Sequence, residues 1–293
     1  MFSNEQVIAQ LMELALFEQI SQITPEQAGY SNFTFSFIAD GEKYIGKYIG
    51  ENTNQSIEAQ VCQIAFQQGI APKVIYADNN WIILAYIEGV LINDAQLSID
   101  DKLLQLLAPV IELHKVEQTS LTNITKLDIK QVIGQLLIKI KNVAPQLYQQ
   151  VKVDIDAYIS DIATCKDNLV VVHGDANFNN AIVEQNTNRV FLIDYEACSL
   201  AEREYELAMI LAVNELSALY VRPIIEKYQQ LAGNTFRISW ERVTRYYIVS
   251  LVINGLWYMC EYLSNQLPSY LEKANKQLAI LSSITGTRYS SIA

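Results

Sequence analysis

The sequence predicts an α+β protein of two lobes. A small β-rich lobe (residues 1–86) precedes a larger, mostly helical lobe (residues 87–293) with an embedded β-hairpin, and the two form one functional unit. Three observations predict this. Between residues 32 and 86, short runs of alternating apolar and polar residues are separated by turn signals, with one helical stretch among them. From Leu97 onward, apolar residues recur at helical spacing in LLQLLAPVIELH, in VIGQLLIKI and throughout the region after Glu206. One island of short apolar runs, NLVVVHGD, NAIVE and RVFLIDYE, interrupts the helices.

Taken in order, the opening segment carries Val7, Ile8, Leu11, Leu14 and Ala15 at the spacing of an amphipathic helix. It has no basic leader and contains Glu5, Glu13 and Glu18, so a secretory signal is not expected. NFTFSFIA reads as a strand, Asp40-Gly41 as a turn and EKYIGKYIG as a second strand. A helix over 57–68 stops at Gly69 with Pro72 beyond it, and short strands follow around 73–76 and 81–86. The most apolar stretch, YYIVSLVINGLWYMC, is shorter than the roughly 20 residues of a membrane span. It also contains Asn254, so it reads as a buried helix. Cys62, Cys165, Cys198 and Cys260 are scattered without a CxxC pair, which predicts neither a disulfide framework nor a zinc site and suggests a reduced, cytoplasmic protein.

Among 293 residues, 51% are hydrophobic and 18% charged, enough apolar material for a sizeable core. Twenty-one basic against 32 acidic side chains give 21 − 32 = −11 at pH 7. That balance disfavours nucleic acid and anionic membrane surfaces as partners, and it suits a cationic ligand.

The chemistry lies in the island. VVVHGDANFNN ends a strand with His173, Gly174 and Asp175 and places Asn180 five residues after Asp175; a second strand, VFLI, then runs into Asp194. Phosphoryl transfer needs one carboxylate to orient the attacking hydroxyl and accept its proton. It also needs an amide oxygen and a second carboxylate to hold magnesium against the nucleotide phosphates. The protein-kinase catalytic loop has the same Asp-to-Asn separation. Turn capping alone would account for Asp175 and Asn180, but not for the whole spacing with Asp194 after the next strand.

HGDANFNN followed by FLIDYE resembles the signature of the aminoglycoside phosphotransferase and choline kinase superfamily, small-molecule relatives of the protein kinases. The resemblance covers roughly residues 29–211 and implies a protein-kinase-like two-lobe fold. It implies that Lys47, ending a strand, contacts the phosphates and pairs with Glu58 from SIEAQVCQIAFQQGIAPKVI, with Lys43 a less well placed substitute. It further implies a nucleotide loop at AGYSNFTF with Ser31 and Asn32, a hinge at LAYIEGV with Tyr86 and Ile87, and Ile193 under the adenine. Asp175 would be catalytic, with Asn180 and Asp194 holding Mg2+ and ATP as the phosphoryl donor. Glu206 stands where the family usually has aspartate, and His114 matches a helix that commonly ends in histidine and is read as structural.

For the acceptor, five acids (Asp194, Glu196, Glu202, Glu204, Glu206) against one base, Arg203, suggest a cluster that draws a cation to the mouth of the site. A solvated acidic helix start is the simpler account of Glu202 and Glu204. Glu196 and Glu215 stand where choline-kinase-like enzymes carry acids, and Trp257 in NGLWYMCEYL fits the second tryptophan of the family's aromatic cage, with Asn254 in place of the first. Trp257 fits core and cage spacing equally, whereas Tyr258 and Tyr262 read as core. The expected activity is transfer of the ATP γ-phosphoryl group to the hydroxyl of a small cationic alcohol, choline or ethanolamine first. Thiamine and aminoglycosides are the alternatives within the class. A nucleotide-binding pseudokinase module is the alternative outside it, disfavoured by the complete set of Asp175, Asn180, Asp194 and Lys47.

Overall fold

The computed structural model describes residues 4–25, 33–48, 55–78, 80–160, 162 and 169–289. Helix α1 (Asn4–Glu13) packs Val7 and Leu11, both fully buried, onto a five-stranded antiparallel sheet of order β1-β2-β3-β5-β4. The strands are β1 (Ile20–Pro25), β2 (Phe33–Ala39), β3 (Glu42–Tyr48), β4 (Val74–Ala77) and β5 (Trp81–Ala85). Phe35, Phe37, Trp81 and Ile83 fill the face beneath α1. Burying Phe35 and Phe37 contributes roughly 1.5–3 kcal/mol each.

Strand β1 was not expected, because ISQITP has neither sustained alternation nor a hairpin turn before β2. In β3 the alternation decides the site. Tyr44 and Tyr48 point to the α1 side with Gly46, where a Cβ would sit 2.5 Å from the Phe35 ring. Lys47 therefore points to the other side. There α2 (Gln55–Gln67) presents Glu58, Val61, Cys62 and Ala65, which share one buried helix face.

The island contains more than a hairpin. Strands β8 (Ala181–Glu184) and β9 (Val190–Leu192) form one, and β6 (Gly89–Leu91) joins it through β8. β7 (Leu169–Val172) pairs instead with β10 (Ser199–Glu202), so two small sheets flank the catalytic loop. β6 and β10 span three and four residues, too short for any periodic signal. We propose the division between lobes after residue 86: it follows β5, and the next strand pairs only with the second region.

Helices make up the rest: α3 (Ile99–Leu113), α4 (Ile129–Ile140), α5 (Pro145–Ser160), α6 (Arg203–Val213), α7 (Val221–Leu231), α8 (Trp240–Asn265) and α9 (Pro268–Thr285). Ser98, Asp128 and Ser239 cap α3, α4 and α8 by accepting a backbone N–H of the first turn. α6 is buried continuously from Tyr205 to Ala212, and α8 packs along both α6 and α9. Among the described residues no helix is long and apolar enough to cross a membrane.

Candidate active site

Lys47 and Glu58 meet as the sequence suggests. Lys47 Nζ lies 2.8 Å from Glu58 Oε1, 2.7 Å from Asp194 Oδ1 and 3.4 Å from Glu196 Oε2. Both Lys47 and Glu58 are buried. Burial works against the ammonium, but Glu58, Asp194 and Glu196 outweigh it and hold the Lys47 pKa above its ordinary value. Glu58 shows the opposite balance: burial outweighs its single cation and pushes its pKa up to about 6. The difference is one of numbers, three carboxylates around one ammonium.

The catalytic loop starts where β7 ends. His173 is fully buried, receives the Asp175 N–H at Nδ1 (3.3 Å) and reaches the Ile193 carbonyl from Nε2 (3.0 Å). A carbonyl only accepts, so both bonds are made when the imidazole proton sits on Nε2. Gly174 follows at φ 78°, and a Cβ there would collide with the Ala197 carbonyl. Asp175 accepts from Asn177 Nδ2 at 3.0 Å and from Asn180 Nδ2 at 2.9 Å. Burial pushes the Asp175 carboxyl up to about 6, against the lowering by Asn177 and Asn180.

Asp194 leaves β9 at φ 65°, a left-handed conformation that aspartate tolerates better than most residues. Residues 180 and 194 are brought side by side by the β8–β9 hairpin, closed by the Ile193 N–H donating to the Asn180 carbonyl at 3.0 Å. The Nδ2 of Asn180 is committed to Asp175, which leaves its amide oxygen for ligation. Among the described residues no group of three His, Cys, Asp or Glu side chains could hold a metal. One amide oxygen with one carboxylate fits magnesium, which takes one or two carboxylates and completes its shell with water and substrate phosphates.

Asp175, Asn180, Asp194 and Glu196 line one cavity of about 570 Å3, whose far wall is built by Asn254, Trp257 and Tyr258 of α8 and Lys273 of α9. Trp257 stands edge-on to Tyr258, centroids 5.1 Å apart. Tyr258 and Tyr262 both pack against the core as expected, and Tyr258 lines the cavity as well. Glu215 is not brought there: its carboxylate pairs with Lys276. Tyr86 and Ile87 follow β5 as expected; the Tyr86 N–H donates to the Lys43 carbonyl at 3.3 Å, and Lys43 Nζ lies 3.7 Å from the Tyr86 ring centre. Ser31 and Asn32 lie outside the described residues.

The acidic cluster needs correcting. Only Asp194 and Glu196 face the cavity. Glu202 is buried in a two-pronged pair with Arg242, Nε to Oε2 at 2.9 Å and Nη2 to Oε1 at 2.6 Å. Glu204 accepts the Ser239 N–H at 3.1 Å. Glu206 is fully buried and accepts the His173 N–H at 2.5 Å and the Gly174 N–H at 3.3 Å. His114 approaches Glu206 to 3.8 Å and bonds Tyr228 Oη through Nδ1 at 2.9 Å; burial lowers its pKa. Sequence spacing alone could not separate such anchors from solvated acids.

Two loop-holding residues escaped the sequence reading. Asn177 bonds Asp175 directly. Asn214, at the end of α6, accepts the Phe178 N–H at 2.8 Å and donates to the Ala176 carbonyl at 3.3 Å. Neither belongs to a periodic pattern, although an asparagine closing an apolar helix is a usable signal. Helix α6 therefore clamps the loop from both ends. Glu206→Ala leaves the buried His173 amide and the part-buried Gly174 amide without an acceptor, at ~1–3 kcal/mol each. Urea denaturation is expected to show a loss of about 2–5 kcal/mol, with kcat falling more than KM rises.

A family model described as choline/ethanolamine kinase matches residues 42–234. The chain is similar in structure to a choline/ethanolamine kinase family protein from Mesorhizobium loti, at TM-score 0.72 and 19% identity over 97% of this chain and 95% of that one. A choline kinase from Streptococcus pneumoniae gives TM-score 0.71 and 19% identity over 94% and 98% of the two chains. The aminoglycoside 2'-phosphotransferase-IIIa gives 0.69 and 13% over 96% and 99%. These likenesses show a shared fold. No curated protein matches the chain.

Proposed function

The chain belongs to the choline/ethanolamine kinase family, whose members are small-molecule kinases, and from that premise we propose that it transfers the γ-phosphoryl group of ATP to the hydroxyl of a small amino alcohol, with ethanolamine and choline the first compounds to try. The observation that carries this reading is convergence: Asp175, Asn180 and Asp194 line one cavity, and Lys47 reaches Asp194 at 2.7 Å from the opposite sheet. Carboxylates of Asp175, Asp194 and Glu196 together with the Trp257 ring favour a positively charged acceptor.

In the proposed reaction Lys47, held in place by Glu58, meets the phosphates of the donor. Asn180 and Asp194 would hold magnesium, which when bound neutralises charge on the phosphate oxygens. Asp175 orients the acceptor hydroxyl and takes its proton. Its oxygens each receive one side-chain N–H, from Asn177 and Asn180, so the carboxylate plane is fixed and each oxygen keeps a lone pair for the hydroxyl. His173 and Glu206 act behind the site by fixing the loop backbone. Ser31, Asn32, Tyr86, Ile87 and Ile193 are proposed around the nucleotide.

The test is ADP formation from ATP and magnesium with ethanolamine, choline, thiamine and an aminoglycoside offered separately. ADP release that depends on one of these alcohols, with the phosphomonoester as product, is expected. Magnesium-dependent nucleotide binding without transfer to any of them would point to the non-catalytic module.

A further inference from the structure

We infer that Asn254 sets acceptor specificity and that the acceptor presents to it an oxygen able to accept a hydrogen bond, a second hydroxyl or a carboxylate, rather than a trimethylammonium head. This rests on the reading of the cavity as the phosphoryl-acceptor site.

Asn254 is a polar residue within an otherwise apolar run of α8. Its Nδ2 is buried and has no hydrogen-bond partner among the described residues. A buried donor left unbonded costs the fold the desolvation of that group, and a ligand that supplies an acceptor recovers it. Asn254, Trp257 and Tyr258 stand at i, i+3 and i+4, so one helix face brings all three residues to the cavity wall, with the Asn254 Nδ2 buried just behind its surface. From α9, Lys273 lines the same cavity, with Nζ 5.3 Å from the centre of the Tyr258 ring. Tyr258, the ring beside Trp257 on this wall, thus already carries a cation of the chain's own. A quaternary ammonium beside it would meet like charge and would offer Asn254 nothing to bond.

The lining charges divide by origin. Asp175, Asp194 and Glu196 come from the catalytic loop and the turn after β9; the α8 and α9 wall contributes Asn254, Lys273 and the polar ends of Trp257 and Tyr258, and no carboxylate. Such a cavity complements an amino alcohol that is positive toward the loop and oxygen-bearing toward the helices. Specificity follows from what an unsuitable head group leaves unpaired.

Steady-state kinetics with ATP and four acceptors test this: choline, ethanolamine, 2-amino-1,3-propanediol and serine. The last two add a hydroxyl and a carboxylate to the ethanolamine skeleton. The oxygen-bearing pair is expected to exceed choline about tenfold in kcat/KM, mainly through KM, as for one gained hydrogen bond. Asn254→Ala is expected to remove that advantage, bringing the oxygen-bearing pair and choline to similar kcat/KM. Asn254→Asp, similar in shape but lacking the donor, is expected to weaken serine most, and Lys273→Met to weaken serine alone. A preference for serine over the diol assigns the oxygen to a carboxylate; the reverse assigns it to a hydroxyl. Choline as the best acceptor, or an unchanged ranking in Asn254→Ala, overturns the inference while leaving phosphotransfer intact. Absence of transfer to all four overturns both.

Discussion

Asp175→Ala is expected to lower kcat by roughly 10²–10⁴-fold, the range typical for removing a positioned proton acceptor, with little change in nucleotide affinity. The same substitution is expected to raise the thermal midpoint of the protein without nucleotide or metal near pH 7. Burial pushes the Asp175 pKa up from an ordinary 3.8 to about 6. The folded protein therefore binds that proton more tightly than the unfolded chain, and stability falls as pH rises through the window between about 4 and 6. Above the window the ionised carboxylate persists in a place that disfavours it. The variant lacks this decline, so its advantage over the wild type shrinks as the pH is lowered toward 4. Differential scanning calorimetry at pH 4, 5, 6 and 7.5 reads the effect. An advantage that grows at low pH contradicts it, and turnover retained at full rate removes Asp175 from the mechanism.

Lys47→Met separates support from chemistry in a different way. Lys47 is the ammonium among three carboxylates, and Glu58 beside it is almost wholly buried. Removing one partner of a buried pair leaves an uncompensated charge and costs about 3–5 kcal/mol. The expected urea midpoint is lower, and lower still at alkaline pH, because Glu58, already raised to about 6, loses the cation that kept it ionised. Adding Glu58→Leu removes the orphaned carboxylate, and most of the lost stability is expected to return. Activity is not. Catalytic efficiency toward ATP is expected to stay down by roughly 10²–10³, the scale of losing one charged donor at a reacting phosphate. A double variant that regains both would make the pair a structural device only.

Much of this was legible in the sequence because the catalytic spacing is covalent. Five residues from Asp175 to Asn180 and one hairpin to Asp194 leave little freedom, and the hairpin brings them together as read. Lys47 and Glu58 were legible only through the family resemblance; their burial on facing elements is what the structure adds. The misreadings share another cause. Glu202, Glu204 and Glu206 look alike in sequence, yet Arg242, Ser239 and the His173 amide, each distant along the chain, give them unrelated tasks. Pairings across the fold also decided β6 and β10, which are too short to declare themselves. Tyr258 has the spacing of a core residue and sits at the cavity, because one face of α8 serves both.

The clamp by α6 has a consequence for how such a molecule diversifies. The loop is tied to α6 through Glu206 and Asn214, while the wall opposite is supplied by α8 and α9. If the cavity is the acceptor site proposed above, mutational drift at Asn254, Trp257, Tyr258 and Lys273 reshapes what enters without touching the bonds that hold the loop. Helix α6 also lends Tyr205, Met209 and Val213 to the cavity lining, so on the proposed reading it is the α8 and α9 positions that can vary with least risk to the loop.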